Sequence, residues 1–186
     1  MSNPACHSKI VTQIDWQLST QDTRFPGMTS ALTKDDRPDP LLLAFASTDY
    51  RVALPEGAET VRIGNRHQRL DRLAGRAWWA IVTAFNPGAR LVDTAENRLR
   101  HQQLIGLCRE QRISTLPCIN IDPTGQWPDE PSLLMSDVAV DTAISLARHF
   151  GQRAVVCGRA GQAAELWLVD GRWQPPVPAH CRIALR

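Results

Sequence analysis

Three polar side chains that follow an apolar run are the first candidates for chemistry. Asn86 comes just after the run WWAIVTAF at residues 78–85, and Asn97 and Arg100 lie three residues apart in the helix predicted next. Side chains three apart share a helix face, and the first turn of a helix offers free N–H groups and a partial positive charge. Arginine can hold a phosphate or a carboxylate through two parallel hydrogen bonds. These residues therefore indicate a pocket for an anion or a nucleotide.

The same residues also have a purely structural interpretation, and the sequence leaves both open. Residues 86–88, Asn-Pro-Gly, can form a turn, and Asn97 can hydrogen-bond the loop before its helix. Arg100 can pair with Glu96, because four residues is one helical turn. The position of the Arg100 guanidinium separates the two interpretations, since an anion site needs it at a concave pocket.

A second cluster of candidates lies in the loop between two predicted strands. Trp127 can stack on a base or a sugar, although the sequence favours an indole that folds onto the domain as a lid over the core. Glu130 can act as a general base, pair with Arg100, or form another salt bridge. A ligand-binding or catalytic site would place Asn86, Arg100 and Glu130 around one pocket.

Patterns that would indicate a metal or a nucleophile are weak. The Cys-His pairs at residues 6–7 and 180–181 could form one site only if both ends of the chain met, and structural zinc sites show tighter spacing. Cys108 falls on the apolar face of a predicted helix, and Cys118 and Cys157 fall in predicted strands, where small apolar side chains are expected. We therefore expect neither a metal nor a cofactor.

The elements that position these candidates alternate regularly from Trp78 onward. Strands are predicted at 78–85, 114–121, 132–135, 153–157 and 165–169, and helices at about 94–112 and 139–150. The first six elements follow the split β-α-β pattern. We therefore predict an α+β fold of the ferredoxin-like type, an antiparallel sheet with two helices on one face.

The rest of the chain is predicted to divide around this sheet. Residues 1–38 are polar and contain breakers, so they are expected to form a flexible N-terminal arm. Strands at 50–54 and 60–63, with short helices beside them, would form a small extension before the sheet. We expect a single domain at 39–170 and an irregular tail at 171–186.

Composition argues against several classes of partner. The net charge of +2 is too balanced to favour nucleic acid, and no apolar run reaches the length of a membrane span. Five widely spaced cysteines without a C-x-x-C pair are typical of a reducing compartment. We expect a cytoplasmic protein.

Six short segments occur together in an order and spacing that resemble one family. They are YRV at 50–52, RIG at 62–64, WAIVTAFNP at 79–87, ENRLR at 96–100, GQWPDEPS at 125–132 and FGQ at 150–152. Over roughly residues 45–168 the chain resembles an uncharacterised bacterial family catalogued as domain of unknown function 3293. The resemblance implies a small bacterial cytosolic protein and implies no particular activity.

Two functions from different classes follow. The first is a domain that binds an anionic small molecule or a nucleotide through Asn86, Asn97, Arg100, Trp127 and Glu130. The alternative is a protein-interaction module without catalytic activity, in which the sheet or the arm docks a protein partner. Whether the protein is an enzyme stays open at this point.

Overall fold

The computed structural model describes residues 39–75 and 77–169 and, for the backbone alone, residues 183–184. The helices among these residues are α1 (Pro40–Ser47), α2 (Gln68–Ala74), α3 (Thr94–Glu110) and α4 (Val140–His149), and none of them has the length and apolar character of a membrane span. The strands are β1 (Asp49–Val52), β2 (Glu59–Val61), β3 (Trp78–Thr83), β4 (Ser114–Ile121), β5 (Glu130–Val138), β6 (Ala154–Arg159), β7 (Glu165–Leu168) and β8 (Ile183–Ala184). The predicted arm at 1–38 lies outside the described residues, and the predicted division into arm, domain and tail stays a prediction.

All of these strands form one sheet, in the order β2-β1-β4-β5-β3-β6-β7-β8. Neighbours from β2 to β7 are antiparallel, and β8 runs parallel to β7. Thr83 at the end of β3 lies opposite Ser132 of β5, and Asn120 near the end of β4 lies opposite Glu130. The ends of β3 and β4 therefore meet the start of β5 at one end of the sheet.

The predicted ferredoxin-like fold class is wrong, although helices and strands follow one another from Trp78 in the predicted order. The strands β1 and β2, expected as a separate extension, join the main sheet because β1 pairs with β4. The sheet has seven antiparallel strands plus the parallel β8. Four helices pack against it in place of two, with α3 and α4 on one face and α1 and α2 on the other.

The central strand β3 shows why both faces need helices. Successive side chains of a strand point to opposite faces, and Trp79, Ala80, Ile81 and Val82 are all buried. Ala80 and Val82 pack in the core under α3 and α4, whereas Trp79 and Ile81 pack in the core with residues of α1 and α2. A sheet with helices on one face would leave Trp79 and Ile81 in water, at a cost of about 1.5–3 kcal/mol for each large apolar side chain.

The chain segment after β3 is held against the turn between α4 and β6. Asn86 has a left-handed backbone (φ 46°, ψ 62°), which asparagine adopts more readily than most residues. The Gly88 N–H donates to the Gly151 carbonyl at 2.8 Å, and Gln152 Nε2 donates to the Phe85 carbonyl at 2.7 Å. These bonds on both sides of Asn86 set the position of its side chain.

Candidate functional site

Asn86 and Asn97 form a buried pair of side-chain amides between the end of β3 and the start of α3. They are 3% and 5% exposed. Asn97 Oδ1 accepts from the Asn86 backbone N–H at 2.8 Å, and Asn97 Nδ2 donates to Asn86 Oδ1 at 2.9 Å. Asp93 caps α3 through its side chain, so it fixes where the helix begins and places Asn97 in the first turn.

Backbone donors determine which way both amides face. A backbone N–H only donates, so the Asn97 atom that faces the Asn86 N–H is the oxygen. The Val92 N–H likewise donates to Asn86 Oδ1, at 3.1 Å. Asn86 Nδ2 is therefore left to donate onward, and it donates to Glu130 Oε1 at 2.7 Å. The hydrogen-bonded chain that starts at two backbone amides thus ends on a carboxylate.

Glu130 is the first residue of β5 and is 9% exposed. Its Oε1 accepts a second hydrogen bond from Trp127 Nε1, also at 2.7 Å. Both donors are neutral, and none of the residues that the structure describes forms an ion pair with this carboxylate. Burial of a charge without a counter-charge opposes folding, and Oε2 is not among the fully buried atoms that lack a partner.

Asp122 shapes the loop that carries Trp127. Its carboxylate accepts the backbone N–H groups of Thr124, Gln126 and Trp127 at 2.9, 3.0 and 2.9 Å, together with the Thr124 hydroxyl. The backbone and side-chain hydrogen bonds from Thr124, in that order, are the main causes that hold the pKa of Asp122 below its ordinary value. The charged carboxylate therefore organises the loop and with it the indole beside Glu130.

The Asp122→Asn variant is expected to loosen this loop while the domain stays folded. An amide presents an NH₂ group where one carboxylate oxygen accepted, so at least one backbone N–H loses its partner. At least one of the backbone amides of Thr124, Gln126 and Trp127 should exchange with solvent faster, and the NMR shifts of all three should move. The matched control is Asp129→Asn, because Asp129 is exposed in the same loop. Equal exchange in both variants would show that Asp122 does not hold the loop.

The wild-type loop should respond to pH with a defined sign. Because the folded pKa of Asp122 is lowered, its hydrogen bonds are fully present above the ordinary carboxyl range. They are lost only as the pH falls through the lowered pKa. The amide shifts of Gln126 and Trp127 should therefore stay constant from pH 7 to 5 and move only in more acidic solution. A transition near neutral pH would contradict this assignment.

A cavity of about 500 Å³ lies between α1 and the face of the sheet that α1 covers. Asn86, Trp127 and Glu130 belong to its lining, and α1 forms one of its walls. Alternate strand residues supply much of the remaining apolar lining, namely Ile81, Ala154, Val156 and Leu166. The cavity thus has an apolar body and a polar end.

Three polar atoms at the cavity have no hydrogen-bond partner among the described residues. They are Glu130 Oε2, Asn120 Nδ2 and Gln152 Oε1. The other end of each side chain is held, because Asn120 Oδ1 accepts from the Ser132 hydroxyl at 2.7 Å and Gln152 donates to the Phe85 carbonyl. Fixed side chains with one open polar atom are suited to orienting a ligand.

Arg100 lies on α3, but its guanidinium is engaged inside the fold. Nε donates to the Ala84 carbonyl at 2.9 Å, and Nη2 donates to the Phe150 carbonyl. The guanidinium also lies over the Phe150 ring, 5.8 Å from its centre. Within the described part of the chain Arg100 does not pair with Glu96 or Glu130, and it does not line the cavity.

The structure brings four of the five predicted site residues into one hydrogen-bonded network. Asn86, Asn97, Trp127 and Glu130 are linked, and all of them except Asn97 line the cavity. Arg100 is on the same helix as Asn97 but outside the network. That these residues bind a ligand stays a prediction.

Sequence reasoning missed Asn120 and the wall formed by α1. Asn120 follows buried Cys118 by two residues on β4 and therefore shares its face of the sheet. A polar residue on an otherwise apolar strand face was the available signal. Gln152 satisfies a backbone group through its bond to the Phe85 carbonyl, and it also lines the cavity.

Comparison with known proteins gives a match to a family model. No curated protein and no solved structure matches the chain significantly. Residues 82–155 match the model of a family described as "Protein of unknown function (DUF3293)". This range contains the whole network and excludes α1, so the predicted resemblance to that family is confirmed for the part of the chain that carries the candidate site.

Proposed function

We propose that this domain binds a small molecule in the cavity between α1 and the sheet. The observation that carries the proposal is Glu130, a buried carboxylate that two neutral donors hold at the cavity wall, with no ion pair to any residue that the structure describes. A volume of about 500 Å³ lies in the range of small-molecule sites. An apolar body with a few fixed polar groups at one end is also the usual composition of such sites.

The proposal does not rely on an anionic ligand. Arg100, the residue expected to clamp an anion, donates to the carbonyls of Ala84 and Phe150 and does not reach the cavity lining. The lining has a carboxylate at its polar end instead. The described lining contains one guanidinium, that of Arg153, against the carboxylates of Glu130 and Asp122, so its charge does not favour a phosphate or a nucleotide.

The test is a fragment screen monitored by thermal shift, with variants that fill the cavity. The fragments are small aromatic and alkyl amines, alcohols and carboxylic acids at millimolar concentration. A fragment that binds the native state raises the Tm by linkage. Ala154→Phe, which projects a ring into the cavity from β6, should abolish the shifts, whereas Ala95→Phe on the exposed start of α3 should retain them.

A second cavity-filling variant shows whether a lost shift in Ala154→Phe comes from the filled cavity or from local misfolding of β6. Leu41→Trp enlarges the opposite wall on α1, so its effect does not depend on β6. The proposal fails if no fragment shifts the wild-type Tm, or if the shifts persist in both filling variants.

The predicted alternative, a protein-interaction module, remains if those tests fail. Leu91, which precedes α3, and Leu99, which lies within it, are 63% and 61% exposed. Single exposed leucines are common on protein surfaces, so they do not by themselves favour a second function.

We also propose that the protein is located in the cytoplasm. Cys108, Cys118 and Cys157 are unpaired and buried. Burial raises the pKa of the Cys108 and Cys118 thiols to about 11, which keeps them protonated and unreactive. Free thiols fit a reducing compartment, and imaging of the tagged protein would check the location.

A further inference from the structure

We propose that the cavity selects a ligand with a positively charged amine, and this proposal rests on small-molecule binding at the same site. The charged residues of the described lining are Glu130, Asp122 and Arg153. Two carboxylates therefore face one guanidinium. Glu130 is the member of this set that belongs to the network with Asn86 and Trp127. It forms no ion pair with any described residue.

Both hydrogen bonds to Glu130 are made to Oε1, so Oε2 can accept a hydrogen bond from a ligand. Asn86 Nδ2 and the Trp127 indole N–H can only donate, and both donate to Oε1 at 2.7 Å. Oε2 is the oxygen to which no described residue donates. An ammonium group at Oε2 would supply both a hydrogen bond and the missing counter-charge, whereas an alcohol would supply the hydrogen bond alone.

Neighbouring groups also favour an ammonium over an anion. The Trp127 indole lines the cavity and holds the carboxylate through its Nε1, 2.7 Å from Oε1, so Oε2 is left for a ligand. Gln152 Oε1 is a second open acceptor in the lining, and an ammonium has three donors to share. The apolar body of the ligand would pack on Ile81, Val156 and Leu166.

The test compares three probes that share one apolar body and differ in the end group. They are 4-phenylbutylamine, 4-phenylbutanol and 4-phenylbutyrate, titrated by calorimetry into the full chain. The amine should bind wild-type protein at least about ten-fold tighter than the alcohol, and the butyrate should bind weakest. The alcohol reports on the cavity, and the difference between amine and alcohol reports on Glu130.

Two variants change the charge in opposite directions. In Glu130→Gln the amide oxygen can still accept from Asn86 and Trp127, so the network is retained while the charge is removed. The amine should lose about ten-fold in affinity, and the alcohol should lose less, because its hydroxyl can accept from the new NH₂ group in place of donating to Oε2. In Asn120→Asp a carboxylate is added directly across the strand pair from Glu130, and the amine should bind tighter while the butyrate weakens.

The outcomes distinguish failure of the cation proposal from failure of the small-molecule site. If the alcohol binds but the amine gains nothing over it, or Glu130→Gln leaves amine affinity unchanged, selection of a cation is wrong and the cavity still binds small molecules. Tighter binding of butyrate than of amine has the same meaning. If none of the three probes binds at millimolar concentration, the cation proposal and the small-molecule site both fail.

Discussion

The Asn86→Asp variant is expected to lose about 3 kcal/mol or more of its free energy of unfolding at pH 7. The new carboxylate oxygen would take the place of Nδ2, which lies 2.7 Å from Glu130 Oε1. The other oxygen would still accept from the Val92 N–H and Asn97 Nδ2. A single atom therefore changes from a donor into a like charge at a site that is 3% exposed. Urea unfolding at neutral pH measures the loss.

The loss of unfolding free energy in Asn86→Asp should become smaller as the pH is lowered. Two carboxyls at hydrogen-bond distance cannot both stay charged, so in the folded variant the pair takes up a proton at a higher pH than two separate carboxyls do. The folded state then binds more protons than the unfolded state, and its stability rises as the pH falls. The difference between variant and wild type should therefore be largest at pH 7 and smaller near pH 5.

The substitution keeps the backbone requirement at this position constant. Asn86 has a positive φ of 46°, and aspartate tolerates this conformation nearly as well as asparagine. The matched control is Asn65→Asp, because Asn65 is exposed in a turn, and its effect should be within about 0.5 kcal/mol. If both variants are equally stable, or if the loss at position 86 does not depend on pH, then Asn86 does not donate to Glu130 as the structure shows.

The linked network was predictable because its members lie where predicted strands and helices begin or end. Asn86 follows an apolar strand run, Asn97 lies in the first turn behind the Asp93 cap, and Glu130 begins a strand. Strand ends and helix starts gather at the ends of a sheet. Local patterns therefore identified residues that meet in space although up to 44 positions separate them.

The fold class was not predictable from element order alone. The order from β3 to β7 does not show that β1 pairs with β4, since that pairing joins Tyr50 to Asn120 across a long stretch of chain. The composition of β3 held a usable signal, because Trp79 and Ile81 alternate with Ala80 and Val82 and all are apolar. A strand that is apolar on both faces needs cover on both faces. The short helices α1 and α2 provide it.

The cavity depends on the packing of α1 against the second face of the sheet, which was not predicted from the sequence. Its lining combines α1 with strand residues from the second face of the sheet, so a fold without that helix layer contains no such cavity. Asn120 could be assigned to it only once Glu130 was known to lie across the strand pair. Distances between elements, more than residue types, set this part of the site.

Arg100 shows the limit of spacing arguments most directly. The four-residue interval to Glu96 suggested an ion pair, and the helix start suggested an anion. The guanidinium instead binds the carbonyl of Ala84, 16 residues before it, and that of Phe150, 50 residues after it. Backbone carbonyls have no signature in a sequence, so partners of this kind are revealed only by the fold.

Arg100→Ala is accordingly expected to destabilise the protein by about 3 kcal/mol, from two hydrogen bonds to a charged group at about 1.5 kcal/mol or more each. The guanidinium joins the end of β3 to the end of α4 through Ala84 and Phe150, so the variant leaves carbonyls next to two buried side chains without their donor. Arg100→Lys should recover only part of the loss, because one ammonium does not reproduce the two-point contact. Thermal and urea unfolding measure both variants.

The control on the same helix is Arg98→Ala, which removes an exposed arginine and should change stability by no more than about 0.5 kcal/mol.

The comparison of Arg100→Ala with Arg98→Ala separates the two roles considered for Arg100. A structural clamp predicts a large loss of stability in Arg100→Ala without any added ligand. An anion clamp predicts a stability like that of Arg98→Ala in the absence of ligand, together with a Tm shift by phosphate that the variant abolishes. The second pattern would return Arg100 to the binding site and would reverse the preference for a cationic ligand, since a free guanidinium near the start of α3 would then be the dominant charge.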